Sequence, residues 1–183
     1  MRKIIFIILC QIFIFEISPQ ENDEYLILYN EINKIVETDF ILPVKNQRIE
    51  IINDYYWGFG HKIDIFNGEI MFLNSGHFLC NENAKIYSMT DGIIENIYYQ
   101  ANYGFTIDIK FNEITISYMS VRTYNLQIGS KINKGEFIGT VNRHSVIHFS
   151  FFIMIKYKNY YFDPGILLST KIEKNNEIFN NWE

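Results

Sequence analysis

Gly129-Ser-Lys-Ile-Asn-Lys-Gly135-Glu-Phe-Ile-Gly139 is the stretch that decides the fold. Nine residues after it comes His148, in the run Val146-Ile-His-Phe-Ser-Phe-Phe-Ile-Met. Glycines at this spacing, around alternating apolar and polar residues, are typical of short strands joined by tight turns. The stretch therefore predicts a hairpin of a small β-barrel or β-sandwich.

The glycine-rich stretch belongs to a longer series of short strands. From Pro43 to Leu168, runs rich in Ile, Tyr, Phe and Thr are separated by glycines, which is the pattern of an antiparallel all-β domain. We therefore predict a mainly β fold with an antiparallel sheet core over residues 41–168. The predicted strands are 49–52, 69–73, 85–87, 92–98, 106–111, 113–119, 136–141, 147–157 and 160–162.

One helix is predicted before this domain and a polar tail after it. Asn22 or Asp23 can cap a helix, assigned to residues 19–40, that either packs across the β domain or docks a partner. Residues 169–183 are predicted to be a polar tail, either a short helix or a frayed end. The helical pattern rests on apolar residues at steps of three and four, namely Tyr25, Leu28, Tyr29, Ile32, Ile35 and Val36.

Residues 1–18 have the pattern of a targeting segment. Arg2 and Lys3 precede an apolar run from Ile4 to Phe15, which has the length of a signal-peptide core and is too short to span a bilayer stably. No small-residue cleavage site follows, so an uncleaved membrane anchor stays open as an alternative. We expect an exported protein of the periplasm or cell envelope.

Composition narrows the class of partner. The net charge of −5 comes with scattered Lys and Arg, which argues against nucleic acid because phosphate recognition needs a clustered basic surface. We expect a protein, peptide or glycan partner. Cys80 is the one cysteine after the targeting segment, so no internal disulfide is expected, and we interpret it as a buried apolar residue rather than a nucleophile.

The order of five segments carries a family resemblance. They are the run from Ala84 to Glu95, Tyr103-Gly-Phe-Thr-Ile-Asp-Ile-Lys, Ile114-Thr-Ile-Ser-Tyr-Met-Ser, the glycine-rich stretch, and Phe162-Asp-Pro. At this spacing they resemble the β-sheet core of the lysostaphin/LytM-type zinc endopeptidases, which cut peptide cross-links in bacterial cell walls. The resemblance implies the LytM fold, a duplicated hybrid motif of the barrel-sandwich type, and an envelope location.

The resemblance also implies a zinc site that can be compared residue by residue. In the family, the His and Asp of a His-x-x-x-Asp segment and the second His of a His-x-His bind zinc, which leaves a position for water. The first His of His-x-His and the His of a Tyr-x-His segment act on that water. Here His148 matches the zinc ligand, but Val146 and Ser120, the latter in Tyr118-Met-Ser, stand in the two catalytic positions.

The first metal segment corresponds to Leu73-Asn-Ser-Gly-His77. When this segment is aligned with the family's without a gap, Leu73 replaces the ligand His and His77 replaces the ligand Asp. When one deletion is allowed, Asn74 and Phe78 replace the same two ligands. Neither register restores both ligands. His61-Lys-Ile-Asp64 lies about a dozen residues too early and is one residue short, and it follows Trp57-Gly-Phe-Gly60, which matches a Phe-Gly turn of the family. The segment before His148 is also about five residues shorter than the family's groove-walling loop.

Two interpretations of the histidines stay open. In one, zinc is bound by His77 and His148 with a third ligand from His144 or Asp64. In the other, His148 is a vestigial strand histidine, and His77 and His144 are solvated loop residues. We expect the second, and no cofactor, because four of five functional positions depart together.

The sequence therefore predicts a non-catalytic LytM-like protein, a pseudoenzyme that binds peptidoglycan or an envelope hydrolase or division protein. Ser120, His144, Tyr118 and Trp57 are predicted to line its groove. The alternatives are an active zinc endopeptidase with a non-standard ligand set and a purely structural envelope protein. Carrier domains share the glycine spacing, but the candidate lysines Lys131 and Lys134 lack the usual flanking Asp or Met.

Overall fold

Two helices and thirteen strands make up the described part of the chain, in a computed structural model that describes residues 19–52, 59–60, 62–65, 69–100, 103–123, 125–141 and 149–180. The helices are α1 (Pro19–Asp39) and α2 (Pro164–Asn180). The strands are β1 (Glu50–Ile52), β2 (Lys62–Ile65), β3 (Glu69–Phe72), β4 (Gly76–Leu79), β5 (Lys85–Tyr87), β6 (Gly92–Gln100), β7 (Gly104–Phe111), β8 (Ile114–Met119), β9 (Val121–Arg122), β10 (Lys131–Ile132), β11 (Phe137–Val141), β12 (Ser150–Tyr157) and β13 (Tyr160–Phe162).

The strands form three antiparallel sheets. The large sheet has the order β1-β4-β12-β8-β7-β6-β10, with β13 also paired to β12, and the described strands run from one end to the other without closing into a barrel. A small sheet has the order β5-β11-β9, and β2 pairs with β3. The predicted mainly β, antiparallel fold with an N-terminal helix is confirmed.

The large sheet has two chemically different faces, because successive side chains of a strand point to opposite sides. One face, which we call the core face, carries large apolar side chains of β12, β8 and β7 that are wholly buried. Leu28, Ile32 and Val36 of α1 belong to the same apolar cluster, so this helix packs across the β domain. Core-face residues include Phe151, Ile153, Ile155, Ile116, Tyr118, Ile107 and Ile109.

The other face, which we call the outer face, contains polar groups. One cross-strand row consists of directly opposed residues of β4, β12, β8, β7 and β6. A second row, in β12, β8, β7 and β6, is offset from the first by two residues on each strand. Both rows are therefore on the same side of the sheet. The first row is His77, Phe152, Met119, Thr106 and Tyr98, and the second is Met154, Ser117, Asp108 and Asn96.

The C-terminal segment is a helix, which is the first of the two alternatives predicted for the polar tail. Helix α2 begins at Pro164, so the boundary drawn at Leu168 falls inside it. Asp163 caps the helix because its Oδ1 accepts from the N–H of Gly165 at 2.8 Å, and Pro164 suits the first helical position. The Asn176 amide then bonds both backbone groups of Ile49, at 3.1 and 2.7 Å. Neither helix is long and apolar enough to cross a membrane, within the described part of the chain.

The glycine-rich stretch is a crossover between sheets, so the predicted hairpin is wrong. β10 pairs with β6 in the large sheet, whereas β11 pairs with β5 and β9 in the small one. A tight turn joins them, closed by the N–H of Glu136 on the carbonyl of Asn133 at 2.9 Å. Gly129 and Gly135 have φ of +86° and +78°, which favours glycine. Local pattern gave the turns correctly, but strand pairing is not a local property.

Tyr118 lies in the core rather than in a groove, which corrects its predicted role. Its side chain is wholly buried, and its hydroxyl accepts from the backbone N–H of Met89 at 2.8 Å. Burial raises the pKa of the Tyr118 hydroxyl, while the Met89 N–H and Ser88 act in the opposite direction. The tyrosine thus bonds a buried donor in the segment that follows β5.

We expect Gly139→Ala to be much more destabilising than Gly129→Ala. A Cβ at Gly139 would lie 2.4 Å from the Arg122 backbone oxygen, so the strands must move, at a cost of about 3 kcal/mol. At Gly129 a Cβ meets nothing within 4 Å, and only the left-handed backbone costs about 1 kcal/mol. Urea denaturation of both variants measures the difference. Equal losses would show that β9 and β11 are not in close contact.

We expect Tyr118→Phe to lower the free energy of unfolding by about 1–3 kcal/mol, because the buried Met89 N–H loses its acceptor. Tyr157→Phe is the matched control. The Tyr157 hydroxyl donates to the carboxylate of exposed Glu31 at 3.0 Å, where water can replace it, so its loss should cost less than about 1 kcal/mol. Chemical denaturation at pH 7 compares them, and equal costs would contradict the buried bond.

Candidate functional site

The structure places only part of the predicted site. His77, Ser120 and Tyr118 are described, and Asp64 is in β2, where its backbone pairs with Ile70 of β3. His148, His144, Trp57 and His61 lie outside the described residues. The described residues of the site lie on and next to the outer face, where β4, β7, β8 and β12 position them.

His77 is a buried strand residue, so its interpretation as a solvated loop residue is wrong. It lies in β4 between two partners, opposite Ile52 of β1 and Phe152 of β12. Its side chain is 7% exposed, and its ring stacks on that of Phe152 with centroids 4.3 Å apart and planes 12° from parallel. The turn-forming residues Asn74, Ser75 and Gly76 hid this strand from the sequence pattern.

Ser120 is also enclosed, so it does not line a groove as predicted. It is 1% exposed and has a φ of +63°, at the point where the chain leaves β8. Its Oγ donates to the backbone carbonyl of Tyr103 at 2.8 Å. This bond ties the end of β8 to the turn between β6 and β7.

Tyr103 links Ser120 to the histidine. Its ring meets that of Phe152 edge-on, with centroids 5.0 Å apart, so Phe152 lies between Tyr103 and His77. Burial raises the pKa of the Tyr103 hydroxyl, while a hydrogen bond with Ser75 lowers it. An aromatic cluster of His77, Phe152 and Tyr103, with aromatic pairs each contributing about 0.5–1.5 kcal/mol, therefore occupies this part of the face.

The described residues do not by themselves fit a zinc site. A catalytic zinc needs three protein ligands, and His77 is the one histidine in the described ranges. No group of three His, Cys, Asp or Glu side chains that could hold a metal ion occurs among the residues described. A site formed by His77 and His148 with His144 or Asp64 stays a prediction.

A polar cluster that sequence reasoning missed lies in the second row of the outer face. Asp108 is 7% exposed and Ser117, directly opposite it, is 1% exposed. Asn96 donates from Nδ2 to Asp108 Oδ2 at 3.3 Å. Burial raises the pKa of Asp108. The neighbouring Ser117 and Asn96 lower this pKa, and the charge of Glu95 raises it further. The alternation in Thr106-Ile-Asp-Ile-Lys was the signal, because it puts Asp108 opposite the core face.

Cys80 is unsuited to nucleophilic chemistry, in agreement with its interpretation from sequence. The thiol is free and partly buried, and burial raises its pKa to about 12. Its Sγ lies 3.6 Å from the backbone oxygen of Phe149, to which it donates. Because the thiolate is the reactive form, Cys80 is inert near neutral pH.

Similar folds occur in several solved structures. A zinc-containing peptidase from Vibrio cholerae superposes with a TM-score of 0.56 at 20% identity, over 68% of this chain and 39% of that one. The catalytic domain of lysostaphin from Staphylococcus simulans gives 0.52 at 17% identity, over 68% of this chain and 93% of that one. A complex of SpoIIIAH and SpoIIQ gives 0.56 at 11% identity, over 69% and 97%. This chain thus spans well under half the length of the Vibrio cholerae peptidase.

A family model identifies the family from the sequence, although no curated protein matches this chain. The family model described as peptidase family M23 matches residues 74–164, which is about half of the chain and runs from just before β4 to the start of α2. This match confirms the resemblance to the lysostaphin and LytM-type domains. The chain therefore belongs to peptidase family M23.

Proposed function

We propose that this protein is an exported, non-catalytic M23 domain that binds cell-wall peptide or glycan, or regulates an envelope hydrolase. One observation carries the proposal. Ser120, which stands at the position of the catalytic Tyr-x-His histidine, is buried and donates its hydroxyl hydrogen bond to the Tyr103 backbone. It is a structural residue at the place where the family has a base.

The absence of a base at this position matters because proton transfer needs an accessible group with a pKa near the working pH. A serine hydroxyl is not such a group, and Ser120 is enclosed besides. The other catalytic position holds Val146, whose side chain cannot accept a proton. Even with a metal bound, these two positions could not activate water as the family does.

Exposed aromatic side chains support a binding role. Tyr99 and Phe105 lie opposite each other near the tip of the β6–β7 hairpin, 68% and 45% exposed, with ring centroids 5.5 Å apart. Such rings can contact sugars and peptides with little loss of conformational entropy. The complex of SpoIIIAH and SpoIIQ further indicates that a fold of this kind is compatible with a protein partner.

Residues 1–18 support export through their basic start and apolar core. We propose that they act as a signal peptide or as an uncleaved membrane tether. Helix α1, the β domain that follows it and helix α2 would then lie outside the cytoplasm, as peptidoglycan or an envelope partner requires.

The alternative is an active zinc endopeptidase with ligands from His77, His148 and either His144 or Asp64. One observation favours it. His77 lies in β4, next to β12, the strand that follows His148 in the chain.

Metal content and wall digestion distinguish the two. We expect the purified protein to hold sub-stoichiometric zinc, to sediment with purified peptidoglycan in the presence of a chelator, and to release no soluble fragments from it. His148→Ala should change none of these properties. Elemental analysis, co-sedimentation and turbidity of the wall suspension are the measurements.

Stoichiometric zinc that is lost in His148→Ala, together with fragment release, would establish the alternative. Failure to bind peptidoglycan or any hydrolase of the envelope would refute the binding role and leave a purely structural one. His77→Ala is a poor control because it also removes the stack on Phe152.

A further inference from the structure

We propose that Asp108 and Ser117 on the outer face form a binding site for a primary ammonium group. This inference rests on the proposed function, because it names the part of a cell-wall peptide that the domain would recognise: the free side-chain amine of its diamino acid. The zinc ligands and catalytic positions of the family play no part in it.

Hydrogen bonding between Asp108 and Ser117 is incomplete. Asp108 Oδ1 and Ser117 Oγ are both buried, and among the described residues neither has a hydrogen-bond partner of good geometry. The two residues are directly opposed on β7 and β8, and Ser117 is close enough to lower the pKa of Asp108 without completing such a bond. Buried polar atoms without partners are rare and costly in native proteins. The pair thus offers two acceptors that a donor-bearing ligand can satisfy.

The charge of Asp108 takes part in no ion pair among the described residues. Lys110, on the same face of β7, directs its Nζ to Thr115 Oγ1 at 3.4 Å. The nearby charge that acts on Asp108 is that of Glu95, which is also negative. A bound cation would offset the cost of burying a carboxylate among such neighbours.

The atoms that remain indicate which cation fits. Asn96 already donates to Asp108 Oδ2, so Asp108 Oδ1 and the Ser117 hydroxyl remain. A guanidinium binds best to both oxygens of a carboxylate, and a divalent metal takes several oxygen ligands, so neither fits this pair. An ammonium carries three donors on one nitrogen and can bond both Asp108 and Ser117.

The rim of the site suits such a ligand. Tyr98 lies two residues from Asn96 on the same face of β6, and burial first, then the charges of Asp108 and Tyr161, raise its pKa. Tyr98 is 37% exposed and Asn96 is exposed, so a ligand would reach the buried Asp108 and Ser117 atoms from the β6 side, past these two side chains. Tyrosine rings beside an ammonium add cation–π attraction.

Asp108→Asn should fold and be at least as stable as the natural protein at pH 7. Because burial raises the pKa of Asp108, the fold disfavours the charged carboxylate, and the amide removes that charge. As pH falls through the raised pKa toward 3.8, the natural protein gains stability by protonation, so the difference should shrink. Urea midpoints at pH 7 and pH 4 measure this. A lower midpoint for Asp108→Asn at pH 7 would mean that the carboxylate has a further partner in the fold besides Asn96.

Binding is tested with two tetrapeptides whose N-terminal amines are both blocked by acetylation, Ala-γ-Glu-Lys-Ala with a free lysine ε-amine and the same peptide with that ε-amine also acetylated. We expect the full-length protein to bind the free amine at least about tenfold more tightly, by calorimetry or NMR titration. Asp108→Asn should lose this preference. Glu113→Gln, which removes an exposed carboxylate from the β7–β8 turn, should keep it.

Equal affinity for the two peptides, or a preference that survives in Asp108→Asn, would overturn the ammonium site. Co-sedimentation with peptidoglycan separates this result from failure of the proposed function. If Asp108→Asn sediments with the wall as the natural protein does, the domain binds the wall elsewhere and only the site is refuted. If the natural protein binds neither peptide, does not sediment with the wall and binds no hydrolase of the envelope, both proposals fail.

Discussion

The two-residue period of β12, β8 and β7 is the constraint on which the rest of the structure depends. One set of alternate residues, including Ile153, Tyr118 and Ile107, is wholly buried against α1 and the small sheet. The other set is thereby committed to the outer face. Each of these central strands thus contributes one set of side chains to the core and the other set to the surface that defines what the domain can bind. A slip of one residue in the strand register would move each set to the opposite face.

The outer face combines features that are costly to keep. A histidine stacked in the interior of the sheet and a buried carboxylate lie in two neighbouring rows, and a serine with a left-handed backbone follows directly after β8. Natural proteins keep such groups at functional sites and offset them with stability elsewhere. Here the offset comes from the core face, where each fully buried aliphatic or aromatic side chain contributes about 1.5–3 kcal/mol.

The sequence was informative where a pattern is local. Alternation located β6, β7 and β8 to within a few residues, and apolar spacing located α1. It missed β4 because Asn74-Ser-Gly looks like a turn, and the pairing partners of β10 and β11 because pairing joins residues far apart in the chain. The burial of His77 depends on Phe152, 75 positions away by number, so no local signal could give it. The cap of α2 was visible in Asp163-Pro, which serves as both a strand end and a helix start.

The bond between Asn176 and Ile49 has a consequence for how the chain reaches this fold. The amide of one residue satisfies both backbone groups of another that lies 127 positions earlier, beside the first strand of the large sheet. That edge cannot be completed until α2 is free to fold. A polypeptide threaded through a ribosome or a translocation channel would therefore keep its sheet unfinished until the last turns of α2 emerge, however early β1 has left the channel.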